Sequence, residues 1–379
     1  MRILNGIFIA LFMAMLALPL ISVDLSSDRV SIQENRMLAQ RPSLADIKSQ
    51  PEIFIRRFDD WFKDSTGFRE QLIMFYHVMS KNKWLNGIHR TMYTDGQYLY
   101  LIGEQGHHYF AHTGGKLISK FQGKQFVTDN QLTNMAAKLE EVKTYLDKQG
   151  IPLIVMFCTD KESIHPEFYP KSIKRGPEPI QLDVITGYLQ EHTGVDVFNI
   201  RQALLAEKDN FLLYNVSSGD LTHYNEIGAF FAYRELMRHI NIYLPEITSY
   251  ELDDVSINYD KNGIPAVSIK TGTIYRKLNP SFFNDVNLRR PFALENEAYE
   301  KIVSESPVIL LLRDSYAAEA YIGKYLANHF GKTIMIHWSN MGHFEEYIDR
   351  YKPDIVVFES AERELDGFAN CVAGTPKLP

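Results

Sequence analysis

Two stretches of this 379-residue chain carry the residue types of nucleophilic acyl chemistry. In the first, Arg313-Asp314-Ser315 follows the apolar run Val308 to Leu312 and precedes Tyr316 to Phe330, whose spacing predicts a helix stopped by Gly331. A buried strand turning into a helix there would put the Ser315 hydroxyl at the carboxyl edge of a sheet. The first free amides of the helix would face whatever that oxygen attacks. In the second, Gly219-Asp220-Leu221-Thr222-His223-Tyr224-Asn225 leads into the helical pattern Glu226 to Ile242. A hydroxyl is a poor nucleophile until a base takes its proton, and an imidazole does so best when a carboxylate fixes its tautomer. Asp220 and His223 are spaced for those two tasks. Each piece also has a plainer reading. Asp314, Ser315 and Asp220 are ordinary helix-cap residues, and a lone histidine is more often packed or exposed than catalytic. Two such stretches, each ending a strand-like segment and opening a helix, are harder to dismiss together.

The elements that must hold these residues alternate along the chain. Asn130 to Lys148, ended by Gly150, reads as an amphipathic helix, and Ile151 to Cys158 as a parallel strand covered on both faces. Ile180 to His192 is helical, Val195 to Phe198 strand-like, Asn199 to Lys208 helical and Phe211 to Tyr214 strand-like. Beyond Ser315 come Thr333 to His337 as strand, Met341 to Tyr351 as helix and Asp354 to Glu359 as a last buried strand. This alternation predicts an α/β fold with a mostly parallel central sheet. A change to short alternating runs around Asp260 to Gly263 predicts a small β-rich insertion over about 245–290. Glu52 to Trp84, with Phe54, Phe58, Trp61 and Phe62 at helical spacing and a break near Thr66-Gly67, predicts a helical N-terminal extension. Thr91 to Ile102 reads as a hairpin around Asp95-Gly96.

Composition bounds the possibilities. Hydrophobic residues make up 45% of the chain, enough for a large core or two smaller ones, and the formal net charge of -7 argues against a general nucleic-acid binder. Arg2 is the only charged residue before Asp24, and the apolar run Ile3 to Val23 is long enough to cross a bilayer. Its end lacks an Ala-x-Ala cleavage pattern, so residues 1–23 are expected to be an uncleaved signal anchor. With Arg2 held in the cytoplasm, residues 24–51 would be a juxtamembrane tether and residues 52–370 an exported domain. Cys158 and Cys371 define no disulfide framework, and no spaced Cys/His cluster suggests a metal. No cofactor is demanded.

In doubly wound sheets, ligands bind at the carboxyl ends of the strands. Ser315, His223 and Asp220 are all expected on that edge. So are Asp160-Lys161 and the residues Glu359 to Arg363, where an ion pair joining Lys161 or Arg363 to Glu359 is the expected role. Asn340, after the 333 to 337 strand, could donate to an oxyanion, although an exposed loop asparagine is the plainer reading.

The Asp220/His223 turn, the Asp-Ser turn at Ser315 and Glu34-Asn35-Arg36-Met37-Leu38-Ala39 after the apolar segment form a combination with Pro353 to Glu359 and Glu362-Arg363. With that combination the chain resembles the alginate O-acetyltransferase group of SGNH-hydrolase-like proteins. The resemblance implies a three-layer α/β/α domain acting outside the cytoplasmic membrane, where it adds acetyl groups to an exopolysaccharide. The acetyl would be delivered by a membrane-bound O-acyltransferase. It further implies Ser315 as nucleophile, His223 as general base and Asp220 as its orienting carboxylate; amides near Ser315 and Tyr316 are expected to stabilise the oxyanion, with Asn340 and Arg313 as further candidates at the oxyanion or substrate. The chain departs from the group's commoner pattern in three ways. The acid lies three residues before the histidine instead of two, with Leu221 in the usual place; Arg313 stands where glycine is frequent; and Tyr224 stands where tryptophan is frequent. No carbohydrate-binding module follows, which suits the anchored type. An acetyl esterase would use the same three residues, and a non-catalytic assembly protein could keep the fold.

Overall fold

Alternating apolar runs and amphipathic segments condense around one seven-stranded sheet. The computed structural model describes residues 51–67, 92–94, 99–111, 116–124, 127–272, 275–278, 296–301 and 307–378, with scattered residues before 44. The chain divides into two compact units, residues 1–100 with 291–293, and residues 101–290 with 294–379. The first unit contains the helix Pro51–Ser65, which stops where the sequence breaks at Thr66-Gly67. The remainder of the expected helical extension, residues 68–84, lies outside the described residues, as do most of the apolar segment 1–23 and of 24–51. Among the described residues no helix is long and apolar enough to cross a membrane.

The second unit is built on the sheet. Its strands in chain order are β1 (Leu153–Cys158), β2 (Asp196–Asn199), β3 (Tyr275–Lys277), β4 (Glu297–Lys301), β5 (Val308–Arg313), β6 (Lys332–His337) and β7 (Ile355–Ala361). They lie in the order β3-β4-β6-β5-β7-β1-β2. The pairs β5/β6, β5/β7, β7/β1 and β1/β2 are parallel, while β3/β4 and β4/β6 are antiparallel. The helices that cover it are α1 (Asp129–Asp147), α2 (Gln181–His192), α3 (Arg201–Glu207), α4 (Glu226–Tyr243), α5 (Lys324–His329), α6 (Phe344–Tyr351) and α7 (Leu365–Ala373). Thr128 opens α1 with a reciprocal capping box to Gln131.

The sheet is buried on both faces because alternate residues of each central strand point opposite ways. Leu153, Val155 and Phe157 pack with Leu310, Leu312, Val356 and Phe358 beneath α1, α2, α6 and α7. Ile154, Met156 and Cys158 pack with Ile309, Leu311 and Val357 beneath α3, α4 and α5. The result is the three-layer α/β/α arrangement; within the stretch 245–290 expected as a β-rich insertion, Val255–Tyr259 pairs with Pro265–Ile269 as a hairpin, β3 joins the central sheet instead, and residues 279–290 lie outside the described residues.

The structure departs from the sequence reading in several places. Phe211 to Tyr214 is not a strand: the Leu213 carbonyl accepts the Asn225 N–H at 2.9 Å and the Leu212 carbonyl accepts Asn225 Nδ2 at 2.6 Å, so this backbone braces the start of α4. The expected helix over 316–330 is three pieces: a 3₁₀ turn Ser315–Ala317, a π turn Glu319–Gly323 and then α5. The segment expected as a helix from Met341 begins as the 3₁₀ stretch Trp338–His343. β4, between β3 and β6, and the closing helix α7 have no counterpart in the sequence reading, and β3 takes the sheet edge; both strands are rich in charged residues and carry little periodicity.

Candidate active site

Local capping leaves the reactive side chains free for other partners. At the end of β5 the cap is Asp314, not Ser315. Its Oδ1 accepts the Tyr316 N–H at 2.9 Å and its Oδ2 accepts the Ala361 N–H at 2.6 Å, while its own N–H donates to Glu359 Oε2 at 3.0 Å. The turn that presents Ser315 is thereby sewn to the end of β7. At the start of α4 the cap is Asn225, which accepts the N–H groups of Ile227 and Gly228 at 3.0 and 3.1 Å. Asp220 and His223 are left over from capping.

The two stretches, 92 residues apart, meet at one rim of the sheet. His223 Nε2 lies 2.7 Å from Ser315 Oγ, and His223 Nδ1 lies 2.8 Å from Asp220 Oδ2. Neighbours assign the tautomer: Nδ1–H donates to the carboxylate and Nε2 accepts from the serine hydroxyl. The three-residue spacing of the acid is accommodated by Gly219, whose φ of +76° belongs to the left-handed region. A Cβ there would stand 2.8 Å from Ile264 Cδ1 and 2.9 Å from Asn215 Nδ2.

Two further side chains converge on the acid. Thr222 Oγ1 donates to Asp220 Oδ1 at 2.7 Å and lies 2.8 Å from His223 Nδ1. Tyr321, whose backbone leaves the helical region at φ -124° and ψ -108°, donates its phenol to Asp220 Oδ2 and rests its ring 5.1 Å from that of His223. Partial burial pushes the Asp220 pKa up, but the His223 hydrogen bond and charge outweigh it. With the Thr222 and Tyr321 hydroxyls, they hold the group well below the usual carboxylate range. Asp220 is therefore ionised wherever the histidine can act.

Tyr316, Arg313 and Asn340, expected as oxyanion donors, are held by other partners. The Tyr316 N–H is taken by Asp314, and its phenol points inward to Asp160 Oδ1 at 2.9 Å and the Thr222 carbonyl at 3.2 Å. Arg313 is buried, with Nη2 3.0 Å from Glu297 Oε2 and Nη1 3.1 Å from the Asp314 carbonyl. Asn340 is buried rather than exposed, and its Nδ2 donates to the His337 carbonyl at 3.3 Å. Among the described residues the Ser315 N–H has no hydrogen-bond partner.

Behind the site stands a buried cluster of charge. Lys120 Nζ lies 2.6 Å from Asp160, 3.0 Å from Glu162 and 3.3 Å from Glu362, and Arg363 Nε lies 3.3 Å from Asp160. Arg363 also donates to the Thr222 carbonyl and stacks 4.9 Å over Tyr316. The expected ion pair to Glu359 does not form. Arg363 turns to Asp160, and Lys161 turns to backbone carbonyls. Burial and the nearby Asp314 charge raise the Glu359 carboxyl well above its ordinary value. Thr222, Tyr321 and Lys120 were not singled out from sequence. Their types are common and no local spacing ties them to Ser315. Among the described residues no group of three or more His, Cys, Asp or Glu side chains could hold a metal ion.

The sequence model of the family described as "SGNH hydrolase-like domain, acetyltransferase AlgX" matches residues 121–352. No protein of curated function matches the sequence closely. Among solved structures, a DHHW family protein from Eubacterium siraeum is similar at a TM-score of 0.51 and 11% identity, covering 76% of this chain and 98% of that one. Bacillus cereus PatB1 carrying a sulfonyl adduct is similar at 0.51 and 13%, covering 76% and 99%. The O-acetyltransferase domain of Pseudomonas putida AlgJ reaches 0.43 and 11%, covering 73% and 99%.

Proposed function

Because the chain belongs to the family of SGNH-hydrolase-like acetyltransferase domains of the AlgX type, we propose that it is an extracytoplasmic polysaccharide O-acetyltransferase working through a serine acyl-enzyme. The observation that carries this reading is the continuous hydrogen-bonded line from Asp220 through His223 to Ser315, with contacts of 2.8 and 2.7 Å.

In the first half-reaction Ser315 Oγ attacks the carbonyl carbon of an acetyl donor while its proton passes to His223 Nε2. Asp220 stabilises the imidazolium through Nδ1–H without taking the proton. The Ser315 N–H is free to face the oxyanion that forms. Collapse of the tetrahedral species breaks the bond to the donor's leaving group, which departs with the proton held by His223. In the second half-reaction His223 takes the proton of a sugar hydroxyl, the alkoxide oxygen attacks acetyl-Ser315, and the proton returns to Ser315 Oγ as the sugar ester leaves. The acid and base are partly open to solvent: the Asp220 side chain is 37% exposed and that of His223 15%.

The apolar segment 1–23 supports a tether to the inner membrane with the catalytic unit on the periplasmic side. The donor would then be acetyl carried across by a membrane-bound O-acyltransferase. The test is the full chain in detergent with an aryl acetate, with and without an oligosaccharide acceptor. Acetylated oligosaccharide should form and acetate release should fall as acceptor is added. Ser315→Ala and His223→Ala should each lower turnover about 10³-fold or more. Acetate release unchanged by any acceptor, with no acetylated sugar, defeats the transferase reading. An unaltered rate in Ser315→Ala defeats the acyl-enzyme.

A further inference from the structure

Lys161 is a buried amino group, its pKa lowered by burial to about 7, that the mechanism above does not use. Its side chain lies at the carboxyl end of β1, and the residue is 5% exposed. Among the described residues no carboxylate makes an ion pair with it. Its ammonium instead meets three backbone carbonyls, those of His108 at 2.8 Å, Asn215 at 2.6 Å and Val216 at 3.3 Å, and sits 4.8 Å over the Tyr109 ring. Taking an ammonium out of water is costly unless all its donors are used, and here they are used on the loop residues 215–216 and on the strand His108–Phe110.

That loop is the approach to the acid and base. Asn215, whose carbonyl Lys161 holds, donates its Nδ2 to the Asp220 carbonyl at 2.9 Å. The Val216 carbonyl also accepts the His108 N–H at 2.7 Å. The preceding residue, Asp160, works on the other side of the site. It accepts from Tyr316, next to the nucleophile, and pairs with Arg363, which reaches the Thr222 carbonyl beside His223. One dipeptide at the end of a rigid central strand thus grips both segments whose separation decides whether Ser315 and His223 touch.

We propose that Lys161 is a positioning residue for acyl transfer: its ammonium clamps residues 215–216 and, through Asn215, sets the placement of Asp220 and His223 against Ser315. The inference rests on the acyl-enzyme reading and adds a residue that touches no substrate. A clamp of this kind acts on the geometry of proton transfer and leaves substrate affinity alone, and misplacement of a catalytic group by about 1 Å lowers rates about 10²-fold.

The experiment compares the full chain with Lys161→Met, Asn215→Ala and the double variant. The first readout is the rate of covalent labelling of Ser315 by phenylmethylsulfonyl fluoride, followed by intact mass. The others are kcat and KM for an aryl acetate and the low-field Nδ1–H proton resonance of His223. Each single variant should label about 10- to 100-fold more slowly, with KM unchanged, kcat reduced and the His223 resonance shifted or lost. The double variant should be no slower than the worse single, since both cut one chain of contacts. A folded Lys161→Met protein that labels at the wild-type rate with its His223 resonance in place overturns the clamp. Should Lys161→Met not fold, the same result in Asn215→Ala overturns it. Wild-type protein that resists labelling at Ser315 overturns the acyl-enzyme reading itself, an outcome distinct from equal labelling of wild type and variants.

Discussion

The phenol of Tyr321 donates a hydrogen bond to Asp220 Oδ2, the same oxygen that receives His223 Nδ1–H, so one carboxylate oxygen serves two partners from different segments. Tyr321 follows the nucleophile by six residues and reaches the acid only because the backbone departs from the helix at that point. The acid is thereby held from the side of the nucleophile turn as well as from its own loop.

Removing that hydroxyl tests the arrangement. Tyr321→Phe keeps the ring against His223 and deletes one hydrogen bond to a charged acceptor, a change of about 1.5–3 kcal/mol in a partly buried setting. The expected result is a fall in kcat of about 10- to 100-fold, with folding intact by circular dichroism. Asp220→Asn should fall further, because the imidazole then loses the partner that selects its tautomer. Equal rates for wild type and Tyr321→Phe would show that the acid is placed by its own loop alone.

Lys120 neutralises Asp160, Glu162 and Glu362 from a position 5% exposed, and burial with carboxylate repulsion already lifts Glu162 to about 7. Lys120→Met leaves Asp160 paired with Arg363 and removes the ion-pair partner of Glu162 and Glu362. Breaking a buried ion pair from one side costs about 3–5 kcal/mol, so the variant should melt well below wild type at pH 8. Its deficit should shrink as the pH falls through 7, where Glu162 takes up a proton. A melting difference independent of pH would refute the electrostatic account of this cluster.

Glu359 carries a raised pKa, caused first by burial and then by the neighbouring Asp314 charge. The sign follows from linkage. The folded protein holds a proton that the unfolded chain releases above about 4.5, so this group's contribution to stability declines as pH rises from there toward its folded value, by up to about 1.4 kcal/mol per pH unit. Glu359→Gln is neutral throughout. Its melting temperature relative to wild type should therefore climb between pH 5 and pH 8, measured by thermal unfolding in matched buffers. A constant offset would mean that Glu359 is ionised in the folded state.

Much of the fold was legible in residue order because burial on both sides of a parallel strand demands continuous apolar runs. Ile151 to Cys158, Val308 to Leu312 and Asp354 to Glu359 therefore announced β1, β5 and β7. The residue types of Asp220, His223 and Ser315 were legible for the same kind of reason: a serine needs a base and the base needs an acid. Tertiary structure decided which of them meet. It placed the acid 2.8 Å from the imidazole despite the extra residue between them, took the Tyr316 amide for the Asp314 cap, broke the helix after Ser315 to bring Tyr321 to Asp220, and buried Asn340. The contacts of Tyr321 with Asp220 and of Ser315 with His223 join segments 101 and 92 residues apart, so no local pattern could announce them; the sheet order β6-β5-β7-β1 decides where the carboxyl ends of its strands bring them together.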